Sequence, residues 1–384
     1  MNNFIYHMPT KVIFGRGTEN EVGAEVASSG CKKVLLHYGK DSIKRSGLYD
    51  KVVKSLNDAR VDFVELGGVM PNPRLSLVHT GVDLCRKEGV DFILAVGGGS
   101  VIDSAKAIGV GVPYDGDVWD FYEGKPVEDC LPVGVVLTIP AAGSETSLNS
   151  VVTNEDGDFK RGIGAQVMRP KFAILNPELP MTLPPYHMAC GAVDIMAHVM
   201  ERYFTKLKSV KFTDRLCEAT LKTVIENIPK VLECNDDYDS WAEIMWAGSV
   251  AHNGLLGTGR VEDWGSHVIE HEISGIYDVA HGAGLAVVFP AWMKYVYKMD
   301  VERFAQFANR VWGVEYKPTD LEGMALEGIE KMKTFFKSIG MPVSLSDLDI
   351  PGDRIEEMGN KVLRKGEFLP LTPEHTIAIL KIAL

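Results

Sequence analysis

Cysteine is scarce and unpatterned: Cys31, Cys85, Cys130, Cys190, Cys217 and Cys234 form no C-x-x-C pair and keep no regular spacing. A disulfide framework is thereby excluded, and a chain of 384 residues is too large to need covalent staples. Reduced core thiols are expected, Cys190 among them, since its neighbours Ala189 and Gly191 suit tight helix packing. Long apolar runs are missing as well. Nothing approaches the roughly 20 residues of a membrane span, and the opening MNNFIYHMPTK has neither the basic nor the apolar region of a secretory leader. Cytoplasmic residence without a membrane partner is the expectation. A basic surplus is also lacking. The net charge is −12 and no Lys/Arg stripe overrides it locally, so nucleic acid is a poor candidate partner and none is expected.

What is present is an ordinary globular composition, 46% hydrophobic and 24% charged, at a length beyond the size at which one core keeps growing. Two domains are expected. In the first half, the runs 32–39, 61–68, 90–100, 131–140 and 171–176 read as strands closed by Gly, Pro or Asn, and the stretches 48–59, 77–89 and 101–109 between them carry helical spacing. That alternation predicts βαβ units and a parallel sheet. The three prolines of LPMTLPP mark a boundary at 180–185, which divides the chain into an α/β domain over 1–183 and an all-helical domain over 184–384. Helices are predicted at 187–205, 210–232, 240–256, 262–274, 282–298 and 301–312.

Gly97, Gly98, Gly99 and Ser100 stand where the buried run FILAV gives way to a helix. Glycine lets backbone approach a ligand closely, and the unpaired N–H groups of a helix start attract phosphate. The G-x-G-x-x-G pattern is incomplete, since Ile102 holds its last position, and no Lys follows as in an ATP-binding loop. A second turn, Ala141-Ala142-Gly143-Ser144-Glu145, follows the strand VGVVLTI. Two such turns at strand ends fit a dinucleotide lying across the carboxyl ends of the sheet.

Five of the ten histidines lie between 198 and 281. Asp194 and His198 are four apart on one predicted helix and share a face, as do His267 and His271; His281 follows at the start of another helix. Three imidazoles with a carboxylate suit Fe(II) or Zn(II) better than Mg(II) or Ca(II). A single histidine on an apolar face is more often a hydrogen-bonded core residue. Two i, i+4 pairs in one segment favour a metal, and spacing leaves the choice between His267 and His271 open.

At this point the motifs resemble a known family. PTKVIFG (9–15), YGKDSIKRSG (38–47), PNP (71–73), GGGSVIDSAKAI (97–108), LTIPAAGSE (137–145), CGAVDIMAHVMERY (190–203) and EDWGSHVIEHEISGIYDVAHGAGLAVVFPAW (262–292) are similar to the iron-containing alcohol dehydrogenases, in their butanol dehydrogenase-like branch. The resemblance implies a Rossmann-like N-terminal domain with a parallel sheet, then an all-α metal-binding domain, the architecture shared with dehydroquinate synthase. It implies Asp194, His198, His267 and His281 as metal ligands, with Fe(II) favoured over Zn(II), and His271 as the unligated histidine facing substrate and nicotinamide. Gly98, Gly99 and Ser100 correspond to pyrophosphate contacts, and Asn72, Asp103, Thr138, Asn149 and Lys160 to further cofactor positions. A homodimer is implied too, and the strand at 12–14 offers an edge. Two positions depart from the family's usual residues: Ala142 stands where Thr is common, and Asn176 where Asp is.

For the nicotinamide cofactor, a carboxylate at the end of the second strand would bind the 2′-hydroxyl of NAD. Gly39 holds that place, with Lys40, Ser42 and Lys44 available to a 2′-phosphate and Asp41 opposing it, so NADP(H) is expected over NAD(H). The expected reaction interconverts primary alcohols such as butanol with their aldehydes by hydride transfer, with His271 relaying the proton. Rival expectations are a polyol dehydrogenase or a dehydroquinate synthase-type lyase on the same architecture, and a sensor that binds dinucleotide without chemistry. A lyase would need cations beside the metal, where Arg202 is the one evident candidate.

Overall fold

A computed structural model of the protein describes residues 1–384. The strands are β1 (Lys11–Phe14), β2 (Lys33–Tyr38), β3 (Asp62–Leu66), β4 (Phe92–Gly97), β5 (Val133–Leu137), β6 (Asn149–Asn154), β7 (Phe159–Gly164) and β8 (Phe172–Leu175). The helices of the first half are α1 (Val22–Ser28), α2 (Ser42–Arg45), α3 (Leu48–Asp58), α4 (Leu75–Glu88), α5 (Gly99–Gly111) and α6 (Trp119–Tyr122). Those that follow are α7 (Pro185–Tyr203), α8 (Lys211–Glu233), α9 (Tyr238–His252), α10 (Gly265–Tyr277), α11 (His281–Val296), α12 (Val301–Trp312), α13 (Leu321–Ser338), α14 (Ile355–Lys361) and α15 (Pro373–Ile382). The chain forms two compact units, one of His7–Leu183 with Asn235–Asn253, the other of Met1–Tyr6, Pro184–Cys234 and Gly254–Leu384.

The first unit carries a six-stranded parallel sheet of order β1-β8-β5-β4-β2-β3. Its strands are apolar at nearly every position, and since successive residues point to opposite faces, both faces must be covered. Val34, Leu36, Phe92, Leu94 and Val96 meet Val22, Val26, Val52 and Leu56 of α1 and α3 on one side. Leu35, Ile93 and Ala95 meet Val78, Val82, Ile102 and Ala105 of α4 and α5 on the other. The chain runs from β2 outward to β3 and then returns to lay β4 on β2's opposite flank. The order therefore reverses between β2 and β4, where Tyr38 lies beside Val96, and a crevice opens at their carboxyl ends.

The five strands expected from the sequence are β2, β3, β4, β5 and β8. Two differences have local causes. The polar stretch after Asn149 is an antiparallel hairpin, with β6 and β7 joined through Glu155–Asp158, where Gly157 and Asp158 take positive φ. Asp156-Gly157 between VVT and FKR is the turn signal that the count of polar residues obscured. Helix α10 begins at Gly265, later than expected, because Asp263 caps the Gly265 N–H at 3.1 Å and Trp264 is left-handed, φ 66.

Buried in β2, His37 donates from Nδ1 to the Leu66 carbonyl at 2.8 Å and accepts from the Ser104 hydroxyl at 2.9 Å through Nε2. Burial pushes its pKa down to about 4 from 6.5. The folded state thus holds fewer protons than the unfolded chain between those values. Its contribution is complete above pH 6.5 and is lost as the pH falls towards 4. Between about pH 7 and pH 5, unfolding free energy in urea should fall by about 2 kcal/mol more in the natural protein than in His37→Gln. Parallel pH profiles for the two proteins would contradict that assignment.

Candidate active site

At the β2–β4 crevice, α5 starts at Gly99 directly after Gly98, so the first N–H groups of the helix open onto the carboxyl ends of the strands. A Cβ at Gly98 would stand 3.1 Å from Ile139, and one at Gly99 would stand 3.0 Å from the Ala142 methyl. The two glycine turns are thus in contact, and Thr138, which donates its N–H to Gly97 at 3.1 Å, links them. Ala142 is the family departure noted above, and its methyl is the group that Gly99 accommodates. Gly39 follows the last residue of β2 at the same crevice, with exposed Lys40 and Ser42 after it. Lys44 lies 5.4 Å and 5.1 Å from the rings of Tyr38 and Tyr49, whose hydroxyls both bind Glu65.

The remaining nucleotide-site candidates are held in hydrogen-bond networks. Asp103 accepts from the Ser144 hydroxyl at 2.6 Å and the Val151 N–H at 3.0 Å, tying α5 to the second turn and to β6. Asn149 donates to His252 Nε2 at 2.8 Å. Lys160 is buried, not an exposed loop charge, and donates to the Asn72 side chain at 2.9 Å, with Asn72 in the left-handed region at φ 54. Sequence reasoning passed over Lys106, whose ammonium is fully buried and donates to the carbonyls of Ser144, Ser147 and Asn149 at 2.7, 3.0 and 2.8 Å. Burial pulls its pKa down to about 8, with Asp103 and Glu145 opposing. A lysine among the small and apolar residues Ala105, Ala107 and Ile108 of α5 was the signal, because a buried charge must be met by partners.

In the helical unit, Asp194, His267 and His281 each offer a donor atom, all within 4.8 Å of one another. His198 stands beside them. Its Nδ1 donates to the Asp194 carbonyl at 2.8 Å, and its ring centre is 4.7 Å from that of His267. The Nδ1 atoms of the other two rings are also engaged. His267 donates to Glu201 at 2.7 Å, and His281 to Glu270. With Nδ1–H bonded to an oxygen, the lone pair of each ring lies on Nε2, the tautomer a metal ion requires. Asp194, His267 and His281 are brought together, His198 lies next to them outside that close group, and imidazoles with a carboxylate are residue types that fit Fe(II) or Zn(II). His271 is half-buried, its ring centre 5.6 Å from that of His281. The donor atoms of Glu270, His271 and His281 form a second close group, within which Glu270 and His281 are hydrogen-bonded to each other.

Glu201 also accepts the backbone N–H groups of His267 and Trp264 at 3.0 and 2.7 Å. Burial, with the Asp263 carboxylate, pushes its pKa up against those bonds. These bonds hold Trp264 left-handed, a conformation costing on the order of 1 kcal/mol or more, with its ring centre 5.0 Å from that of His267. Arg202 lies over Trp264 at 4.8 Å, pairs with Glu262 at 3.1 Å and donates to the His198 carbonyl. Its cation is thus spent on the protein, which removes the lyase reading's one basic candidate. Asn176, the other departure, donates to buried Glu19 at 2.8 Å, where an aspartate would repel it.

Comparison with known proteins agrees with this chemistry. The family model described as iron-containing alcohol dehydrogenase matches residues 9–177, and the one for the C-terminal part of the Fe-containing alcohol dehydrogenase family matches 188–384. The chain is 44% identical to a probable NADH-dependent butanol dehydrogenase of Bacillus subtilis, covering 100% of both. It is 36% identical to the NADPH-dependent aldehyde reductase YqhD of Escherichia coli, covering 99% of this chain and 97% of that one. The crystal structure of an NADH-dependent butanol dehydrogenase A from Thermotoga maritima superposes with a TM-score of 0.97 at 42% identity, covering 100% of this chain and 99% of that one. Both halves matched, and similar over its whole length to such relatives, the chain is an NAD(P)-dependent oxidoreductase of the iron-containing alcohol dehydrogenase family, in its butanol dehydrogenase-like branch.

Proposed function

We propose that the protein interconverts primary alcohols such as butanol with their aldehydes, using NADP(H) in preference to NAD(H) and one divalent ion, Fe(II) before Zn(II). The observation that carries this reading is the donor set of Asp194, His267 and His281, with His198 adjoining and the Nδ1 of all three imidazoles committed to oxygen acceptors. Asp194, His198, His267 and His281 would hold the ion, which supplies Lewis acidity towards the substrate oxygen. Gly98, Gly99 and Ser100 bind the pyrophosphate through backbone N–H groups at the start of α5, while Asn72, Asp103, Thr138, Asn149 and Lys160 shape or contact the nucleotide site. The nicotinamide supplies or accepts the hydride. His271 passes the substrate proton to solvent, the role of a general acid–base group beside the substrate.

The cofactor preference rests on Gly39, with exposed Lys40 and Ser42 following and Lys44 one turn further on. Similar proteins carry names of both kinds, NADH-dependent at 44% identity and NADPH-dependent at 36%. The reading is tested by comparing kcat/KM for NADPH and NADH with butanal. A higher value for NADPH is expected, with Gly39→Asp shifting the ratio towards NADH by about tenfold or more, since a bound ribose hydroxyl gained and a phosphate repelled amount to at least about 1.4 kcal/mol. A ratio that Gly39→Asp leaves unaltered would overturn the role given to this strand end. Cytoplasmic residence is part of the same reading, in keeping with six free cysteines. A homodimer completes it: β1 lies at the sheet's edge, and Phe14 at its end is 40% exposed.

A further inference from the structure

Two glutamates outside the ligand set are entirely buried in the helical unit, Glu201 on α7 and Glu270 on α10. Each reaches across to a histidine on the next helix of the site: Glu201 accepts from His267 of α10 at 2.7 Å, and Glu270 accepts from His281 of α11. His198 differs, because its Nδ1 is satisfied by a carbonyl of its own helix. We infer that Glu201 and Glu270 are the positioning residues of the metal centre, carboxylates that clamp the rings of His267 and His281, fix Nε2 as the donor and hold α7, α10 and α11 in register around the ion. The inference rests on the metal site proposed above.

Three observations make this more than incidental packing. Burying a carboxylate is costly unless hydrogen bonds or an opposite charge meet it, and two such groups lie against the same small cluster. Glu201 is anchored at both oxygens by backbone N–H groups of Trp264 and His267, so its bond to the His267 ring is set by the main chain rather than by rotamer choice. Glu270 has space made for it: a Cβ at Gly284 of α11 would stand 2.7 Å from Glu270 Oε1 and 2.8 Å from its Cγ. A negative acceptor on Nδ1–H makes Nε2 a stronger donor than a neutral carbonyl does, and a divalent ion in turn offsets the buried negative charge.

The test is metal affinity rather than turnover. Apo protein is titrated with Zn(II) against a chromophoric chelator for the natural sequence, His267→Ala, Glu201→Gln, Glu270→Gln and Gly284→Ala, and the Co(II)-loaded proteins are compared by visible absorption. Glu201→Gln and Glu270→Gln should each weaken Zn(II) binding by about ten- to a hundredfold, with altered Co(II) bands. Gly284→Ala, which leaves every charge in place, should weaken binding through displacement of Glu270 alone, and it decides the matter should Glu201→Gln fail to fold. Natural affinity in both Glu270→Gln and Gly284→Ala, beside lost affinity in His267→Ala, would overturn the positioning role and leave the metal site standing. Absence of tight binding in the natural protein would overturn the metal site and this inference with it.

Discussion

Replacing His267 with alanine is expected to strip the bound metal and lower kcat/KM for butanal at least about a thousandfold, while NADPH still binds. His267 is buried, and its ring belongs to the close group with Asp194 and His281. The substitution removes one donor of the proposed set and leaves a buried cavity beside Glu201, which keeps its bonds to the backbone of residues 264 and 267. Loss of Lewis acidity costs several kcal/mol of transition-state stabilisation; about 4 kcal/mol is about three orders of magnitude in rate. The nucleotide contacts proposed at Gly98, Gly99 and Ser100 involve none of these atoms, so NADPH binding, followed by fluorescence titration, separates loss of the ion from loss of the fold. Metal analysis and steady-state kinetics on the same preparation check the rest. Aldehyde-dependent oxidation surviving at the natural rate would remove His267 from the centre.

Gly282→Ala should disable the site without touching any ligand. Gly282 follows His281 at the start of α11, and a Cβ there would lie 2.0 Å from the Cys190 carbonyl oxygen and 2.9 Å from the Cys190 Cα. Both atoms are backbone of α7, the helix that bears Asp194 and His198, so no rotamer change relieves the clash. Carbon and oxygen need about 3.3 Å, and α11 must therefore retreat by more than about 1 Å, taking His281 with it. Overpacking of this kind costs about 1–3 kcal/mol of stability, and a 1 Å error in a positioned group costs on the order of a hundredfold in rate. Thermal unfolding and a Zn(II) titration read the two effects separately. Unchanged metal affinity would mean that the contact between α7 and α11 does not set the geometry of the centre. Cys190 itself is buried at that contact.

Much of the fold was legible because periodicity is local. FILAV and VGVVL carry no polar side chain, which a strand covered on both faces requires, and each leads into a glycine turn, so β4, β5 and the crevice followed from the sequence. The histidine pairs were legible for the same reason, since residues four apart share a helix face. The family resemblance rather than spacing separated His267 from His271, and the geometry offers the reason: His267 lies in the close group with Asp194, whereas His271 groups with His281 and Glu270.

What escaped was set by partners distant in sequence. Helix α9 has ordinary helical periodicity and stands among helices, yet it belongs to the sheet's compact unit, where Ser249 donates to Glu145 at 2.5 Å and His252 meets Asn149. Nothing within residues 238–252 announces those contacts. Glu201, Glu270 and Lys106 read as charges on helices, and a charge is by default solvated; their burial emerges only when α7, α10 and α11, or α5 and the second turn, are brought together. Each lies three residues from a site candidate, Glu201 after His198, Glu270 after His267 and Lys106 after Asp103. A charge on the same face as a proposed site residue, inside an apolar helix, was therefore the available clue.

The most direct test of the central claim is to purify the protein anaerobically, quantify iron and zinc per chain, and locate the ion in crystals by anomalous scattering at each metal's edge. A single ion per chain bound by Asp194, His198, His267 and His281, with His271 outside its coordination sphere, is the predicted result. A protein that holds no metal, or an ion gathered by Glu270, His271 and His281 with Asp194 and His198 unligated, would contradict it.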